Sequence, residues 1–147
     1  MVLDAEKYIN DRLVEAHDFL HREFDDLSIP YSCGYKHEED AQLQFRKMDS
    51  PLAFLDLTIE ERKALLEWIF LMLEPIKATN HDNTSYGLKH SFEDAPSGFY
   101  IFNGAMKGAL CLMGYRPSNT GELNWCFNIS KKSVKKLYRL NNGQIYK

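Results

Sequence analysis

The sequence predicts an α+β fold: a single, mainly helical domain spanning residues 1–147 and carrying a small β-sheet. Three observations predict it. Apolar residues recur at helical spacing between Asp4 and Phe24, at Ile9, Leu13, Ala16, Leu20 and Phe24. Thr58-Ile-Glu-Glu61 has the pattern of a capping box and opens an apolar helix that Pro75 stops near Glu74. From Leu123 to Ser130 apolar and polar residues alternate, the signature of a half-buried strand.

Each element follows in order. The first helix turns Asp11, Glu15, Asp18 and Arg22 away from its apolar stripe. Residues 25–57 read as irregular, interrupted by Pro30, Gly34 and Pro51, with a solvated turn at His37-Glu-Glu-Asp40. Leu43 and Phe45 alternate with Gln42, Gln44 and Arg46, which predicts one short strand. In the second helix Leu65, Leu66, Ile69, Met72 and Leu73 form a stripe, while Trp68, Phe70 and Leu71 cover other faces. A helix apolar nearly all round is buried mid-domain or covered by a second copy, so a homodimer built on Trp68–Leu73 is one expectation.

Lys77–Thr84 reads as a polar connector, followed by a short helix from Ser85 to about Glu93 with Leu88 and Phe92 inward. Pro96-Ser-Gly98 is a turn and Phe99–Phe102 a short strand. Asn103 reads as the N-cap of a helix over Gly104–Met113, with Gly114 as its stop. After the loop Arg116–Gly121, the alternating strand sets Leu123, Trp125, Phe127 and Ile129 on one face. A last helix runs from Lys131 to about Leu140.

The helix over Gly104–Met113 poses a question. Gly104 and Gly108 each weaken a helix interior by about 1 kcal/mol relative to Ala. Lys107 is its one charge, so it reads as a core helix. The small-residue face is expected to let another backbone come close, either the strand Leu123–Ile129 or the helix Ser85–Glu93. Helix, turn, helix, strand is also the order of a winged-helix DNA reader, but such a helix must show polar side chains to base edges, and this one offers Lys107 and Asn103. Core packing is the stronger reading.

Composition bounds the function class. With 44% hydrophobic and 27% charged residues, the chain is globular rather than disordered. Cys33, Cys111 and Cys126 form no metal or disulfide pattern, which points to a reducing cytoplasm. The N-terminal residues Met-Val-Leu-Asp-Ala-Glu-Lys lack the marks of a signal peptide, and no apolar run reaches membrane-spanning length. The net charge of −3 hides a division: residues 1–99, the acidic helical part, hold 20 acidic and 10 basic side chains, whereas residues 100–147 hold one acidic and eight basic. This asymmetry points either to an electrostatic partner or to halves that fold together and neutralise.

The basic end carries the candidate binding surface. Lys131, Lys135 and Arg139 repeat at helical spacing with Lys132 and Lys136 beside them, and Val134 and Leu137 can hold the helix to the body. Five cations on one side suit a phosphate backbone, and Lys107 and Arg116 are candidate additions. Tyr138 and Tyr146 can stack on bases of a single strand.

Candidate chemistry is sparse. Tyr86, His90 and Glu93 share one helical face, with Lys89 adjacent, and could run metal-independent acid–base cleavage of RNA. The plainer reading is a surface His beside a Lys89–Glu93 helix pair. His17 and His21, even with His37, lack a supporting carboxylate cluster, so no metal site is expected. No nucleotide-binding or nucleophile motif is present and no cofactor is expected.

Ser85-Tyr-Gly-Leu-Lys-His90, Phe99-Tyr-Ile-Phe-Asn-Gly-Ala-Met-Lys-Gly-Ala109, Gly114-Tyr115 and Asn124-Trp-Cys-Phe127 together resemble small uncharacterised proteins of bacteriophages and conjugative elements, over residues 84–130. The resemblance implies a mobile-element context in a bacterial host cell, and no catalytic residues are carried over from it. In that context a non-enzymatic accessory protein is expected, binding nucleic acid or a nucleic-acid-binding host protein. Inhibition of a host defence nuclease, as by anti-CRISPR proteins, is one form of it, with the acidic half mimicking nucleic acid. The alternatives are the ribonuclease using His90 and Glu93, and the homodimeric interaction module.

Overall fold

The computed structural model describes residues 4–27 and 47–141. The strand expected at Leu43 and Phe45, the turn at His37–Asp40, Pro30, Cys33, Gly34 and Tyr146 lie outside the described residues. Helix α1 spans Ala5–Phe24, capped by the Asp4 carboxylate accepting from the Lys7 N–H, and buries Ile9, Ala16, Leu20 and Phe24 as its periodicity predicts. A 3-10 helix, Pro51–Asp56, follows, with the Ser50 hydroxyl accepting from the Leu52 N–H. Helix α2 spans Ile59–Met72 and opens on the predicted box: the Thr58 hydroxyl accepts from the Glu61 N–H at 3.1 Å, and the Glu61 carboxylate accepts from the Thr58 N–H at 2.9 Å. Its apolar second half faces mostly inward. Trp68, Ile69 and Leu73 are buried and Phe70 and Met72 pack partly buried on the core, which leaves Leu71 75% exposed.

The segment expected as a polar connector is a strand. β1, Pro75–Thr84, pairs antiparallel with β2, Cys126–Ile129. The register runs Pro75 to Ile129, Asn80 to Phe127 and Thr84 to Cys126, so β1 uses many more residues than β2 over the same span. Such irregular pairing bends the strand and destroys side-chain alternation. Only Asn80 of β1 is buried. The pairing is made by backbone groups, and a pattern of side chains could not announce it. β2 itself is shorter than the expected Leu123–Ile129 and is buried on both faces. Its second edge is covered at Pro117, which bridges Phe127, and Asn128 is enclosed by the Arg116 N–H (2.7 Å) and the Ile76 carbonyl (3.0 Å).

Helix α3, Ser85–Asp94, is capped by Thr84 and buries Leu88 and Phe92. Residues 99–102 pair with no strand, so the strand expected there is absent. Helix α4, Asn103–Leu112, is buried from Gly104 through Leu112. That burial rules out a groove-reading role in this fold. Its stop is as predicted: Gly114 has φ +93°, its N–H donates to the Cys111 carbonyl, and the Tyr115 N–H donates to the Leu110 carbonyl, the two bonds of a Schellman cap. Its start is not. Asn103 lies inside the first turn and makes no cap; its amide donates instead to Asp49 at 2.9 Å and to Asn124 at 3.0 Å.

The backbone that approaches the α4 glycines is neither expected partner. A Cβ on Gly104 would lie 2.1 Å from the Ser50 carbonyl oxygen, and one on Gly108 would lie 2.3 Å from that of Pro51. The glycines seat the start of the 3-10 helix. One continuous core joins α1, the 3-10 helix, α2, α3, α4, β2 and the last helix α5, Lys131–Asn141. Phe24 meets Trp125 with ring centres 5.9 Å apart, and Trp68 meets Phe92 edge-on at 5.4 Å. The architecture is α+β and mainly helical, with a two-stranded antiparallel sheet among the described residues. No described helix is long and apolar enough to cross a membrane.

Candidate nucleic-acid interface

Helix α5 presents its charge as the sequence predicts. Val134 and Leu137 are each 1% exposed and Ser133 is buried, so one side is pressed to the body. Lys131, Lys132, Lys135, Lys136 and Arg139 are all exposed. At 3.6 residues per turn these five positions fill a continuous arc of about 140°, opposite the buried residues. Lys131 pairs with Asp82 on β1 at 2.9 Å. The hydrogen bond and charge of Lys131, with a smaller contribution from Lys135, hold the Asp82 carboxyl below its ordinary range. Among the described residues, the other four cations make no ion pair. Lys132, Lys135, Lys136 and Arg139 also line a groove of about 550 Å³ together with Leu71, Met72, Glu74 and Leu137.

Two further cations were expected to join this surface. Arg116 is exposed, and its guanidinium lies against β1, donating to the Lys77 carbonyl at 3.4 Å. Lys107 requires a correction. It has no exposed surface, its ammonium sits 2.9 Å from Asp49, and it lies over the Trp125 ring at 4.6 Å. A side chain enclosed in this way cannot reach a phosphate. Burial holds the Lys107 ammonium below its ordinary range and raises the Asp49 carboxyl, in each case against the pull of the other charge. The lone charge on an apolar helix was the signal of a buried pair; its partner, 58 residues away, carried no signal.

The residues of the acid–base expectation do come together. Glu93 sits at the centre. One carboxylate oxygen accepts from Lys89 Nζ at 2.8 Å and from the Ile101 N–H at 3.0 Å, and the other lies 3.2 Å from His90 Nδ1. Tyr86 stands edge-on to His90, with ring centres 4.4 Å apart. Lys89 is buried rather than on the surface, and its ammonium lies 4.6 Å from the ring centre of Tyr100 and 5.9 Å from that of Tyr86. Tyr100 was missed by sequence reasoning, because it follows α3 on a segment without periodicity.

Burial pushes the Cys111 thiol up to about 12 and raises that of Cys126, so neither is an activated nucleophile. The rings of His17 and His21 lie 4.5 Å apart, but each turns to a neighbouring carboxylate, Asp18 or Asp25. Among the described residues no three metal-ligating side chains converge. No protein-family model, curated protein or solved structure matches this chain.

Proposed function

We propose that the protein binds nucleic acid through the cationic face of α5, as an accessory factor rather than an enzyme. The observation that carries this reading is the unbroken arc of five exposed cations on a helix anchored by Val134 and Leu137. A rigid row of cations neutralises successive phosphates and releases their counterions, so affinity must fall with salt. For five contacts the log–log slope is expected between about −3 and −5. Reversing Lys132, Lys135 and Lys136 to Glu is expected to abolish binding of labelled DNA and RNA in a gel-shift titration, with the helical circular dichroism unchanged. Undiminished binding by that variant would sink the proposal. Absence of binding by the wild-type protein would move function to a protein target, with the exposed carboxylates of α1 as the surface to mutate.

A second reading, metal-independent RNA cleavage, is favoured by one contact. A Glu93 carboxylate oxygen lies 3.2 Å from Nδ1 of the exposed His90, the carboxylate–imidazole pairing that acid–base cleavage uses. Incubating the protein with labelled RNA without added metal decides it. This reading expects shortened products that disappear with His90→Ala, and intact RNA after prolonged incubation excludes it.

A further inference from the structure

We infer that α3 and the segment after it form an aromatic platform, continuous with the α5 cations, on which the bases of a single-stranded polynucleotide stack. The inference rests on the nucleic-acid reading above and narrows its ligand. Tyr86, Tyr100 and Tyr138 are 48%, 66% and 43% exposed, although large aromatic side chains tend to be covered. Tyr138 lies on α5 at the edge of the cationic arc. Its hydroxyl bonds Asn83 at 3.2 Å and rests 4.0 Å from where a Cβ on Gly87 would stand. The two surfaces therefore adjoin at Gly87, next to Tyr86.

The cluster beneath the rings explains why they hold their places. Glu93 anchors both Lys89 and His90. Lys89 lies under Tyr100 and near Tyr86, a cation–π contact to both rings, and the His90 ring stands perpendicular to that of Tyr86. Both Glu93 oxygens are engaged, and the Tyr138 hydroxyl is tied to Asn83. All three rings keep part of their surface toward solvent, and Tyr138 has the α5 cations beside it. That combination suits unstacked bases on a phosphate chain, since every base has a π-face to offer. A duplex keeps its bases stacked inside and can use only the cations.

The test compares thymidine and uridine homopolymers of about 20 nucleotides, longer than the ~4–16 that one small binding fold covers, with a duplex of equal length. Both single strands are expected to bind the wild-type protein more tightly than the duplex does. Tyr86→Ala and Tyr138→Ala are each expected to weaken single-strand binding roughly 5- to 100-fold and to leave duplex binding within about 2-fold. Tyr86→Phe and Tyr138→Phe keep the ring and are expected to retain single-strand affinity, which separates stacking from folding damage. In the Tyr138→Trp variant, single strands are expected to quench the new fluorescence. Equal or tighter duplex binding, or alanine variants that lose both ligands alike, would overturn the platform while leaving α5 as a phosphate-binding face. Failure of the wild-type protein to bind any of the three would overturn the nucleic-acid reading itself.

Discussion

Lys107→Met is expected to destabilise the protein by about 3–5 kcal/mol, the cost typical of leaving one buried charge without its partner. The pair lies wholly inside the fold, with Lys107 at 0% and Asp49 at 3% exposure. Its Asp49 end also receives the Asn103 amide. Since burial outweighs attraction at both groups, the pair is held by the surrounding fold rather than holding it together. Two consequences follow. Asp49→Leu combined with Lys107→Met is expected to recover most of the loss, because no charge then remains to be desolvated. The loss from Lys107→Met alone is expected to shrink as pH falls. The Asp49 carboxyl, already raised by burial, rises further without the ammonium. A group whose folded-state pKa is raised contributes its stability below its unfolded value and loses it as pH rises through the folded one. Urea unfolding of wild type, single and double variants, at neutral and mildly acidic pH, checks both. A single-variant loss under about 1 kcal/mol would mean that the pair is solvated.

The second large effect concerns the glycines of α4. Exchange of Gly for Ala in a helix interior ordinarily stabilises by about 1 kcal/mol. At Gly104 and Gly108 the sign is expected to reverse, with losses of at least about 2 kcal/mol each. At Gly104 the three atoms nearest the new methyl are all backbone atoms of Asp49 and Ser50, within 2.7 Å. Neither rotamer change nor side-chain bending relieves that, so α4 and the 3-10 helix must separate and loosen the Lys107–Asp49 pair with them. Gly87 is the internal control. Its substituent would meet only the Tyr138 hydroxyl at 4.0 Å, so Gly87→Ala is expected to be neutral or stabilising. Thermal unfolding of the three variants decides it, and a common sign would show that the close approach is absent.

Much of the architecture was legible because its causes are local. The stripe of α1, the box at Thr58, the stop at Gly114 and the two-sided α5 each depend on residues within a turn or two of one another. The expectations that failed depended on distant chain. β1 reads as a connector because its polar side chains point to solvent while its backbone pairs with β2. Asn103 has the side chain of a cap but is diverted to Asp49 and Asn124. The groups on α3 were visible as a spacing. Their grouping around Glu93 with Tyr100 was not, since Tyr100 enters through an irregular turn.

The sequence by itself determined where the five described α-helices lie, the cap of α2 and the stop of α4, and that α5 turns five cations outward. These follow from the 3.6-residue period and from hydrogen bonds spanning three or four residues. Only the tertiary structure decided which backbone the glycines of α4 receive, that Lys107 is an interior charge rather than a surface one, and that the Tyr138 hydroxyl meets Asn83. Those outcomes rest on pairings such as Lys107 with Asp49 and Asn83 with Tyr138, 58 and 55 residues apart. Packing chooses such partners by shape and burial once the helices exist, and no short window of sequence contains both members.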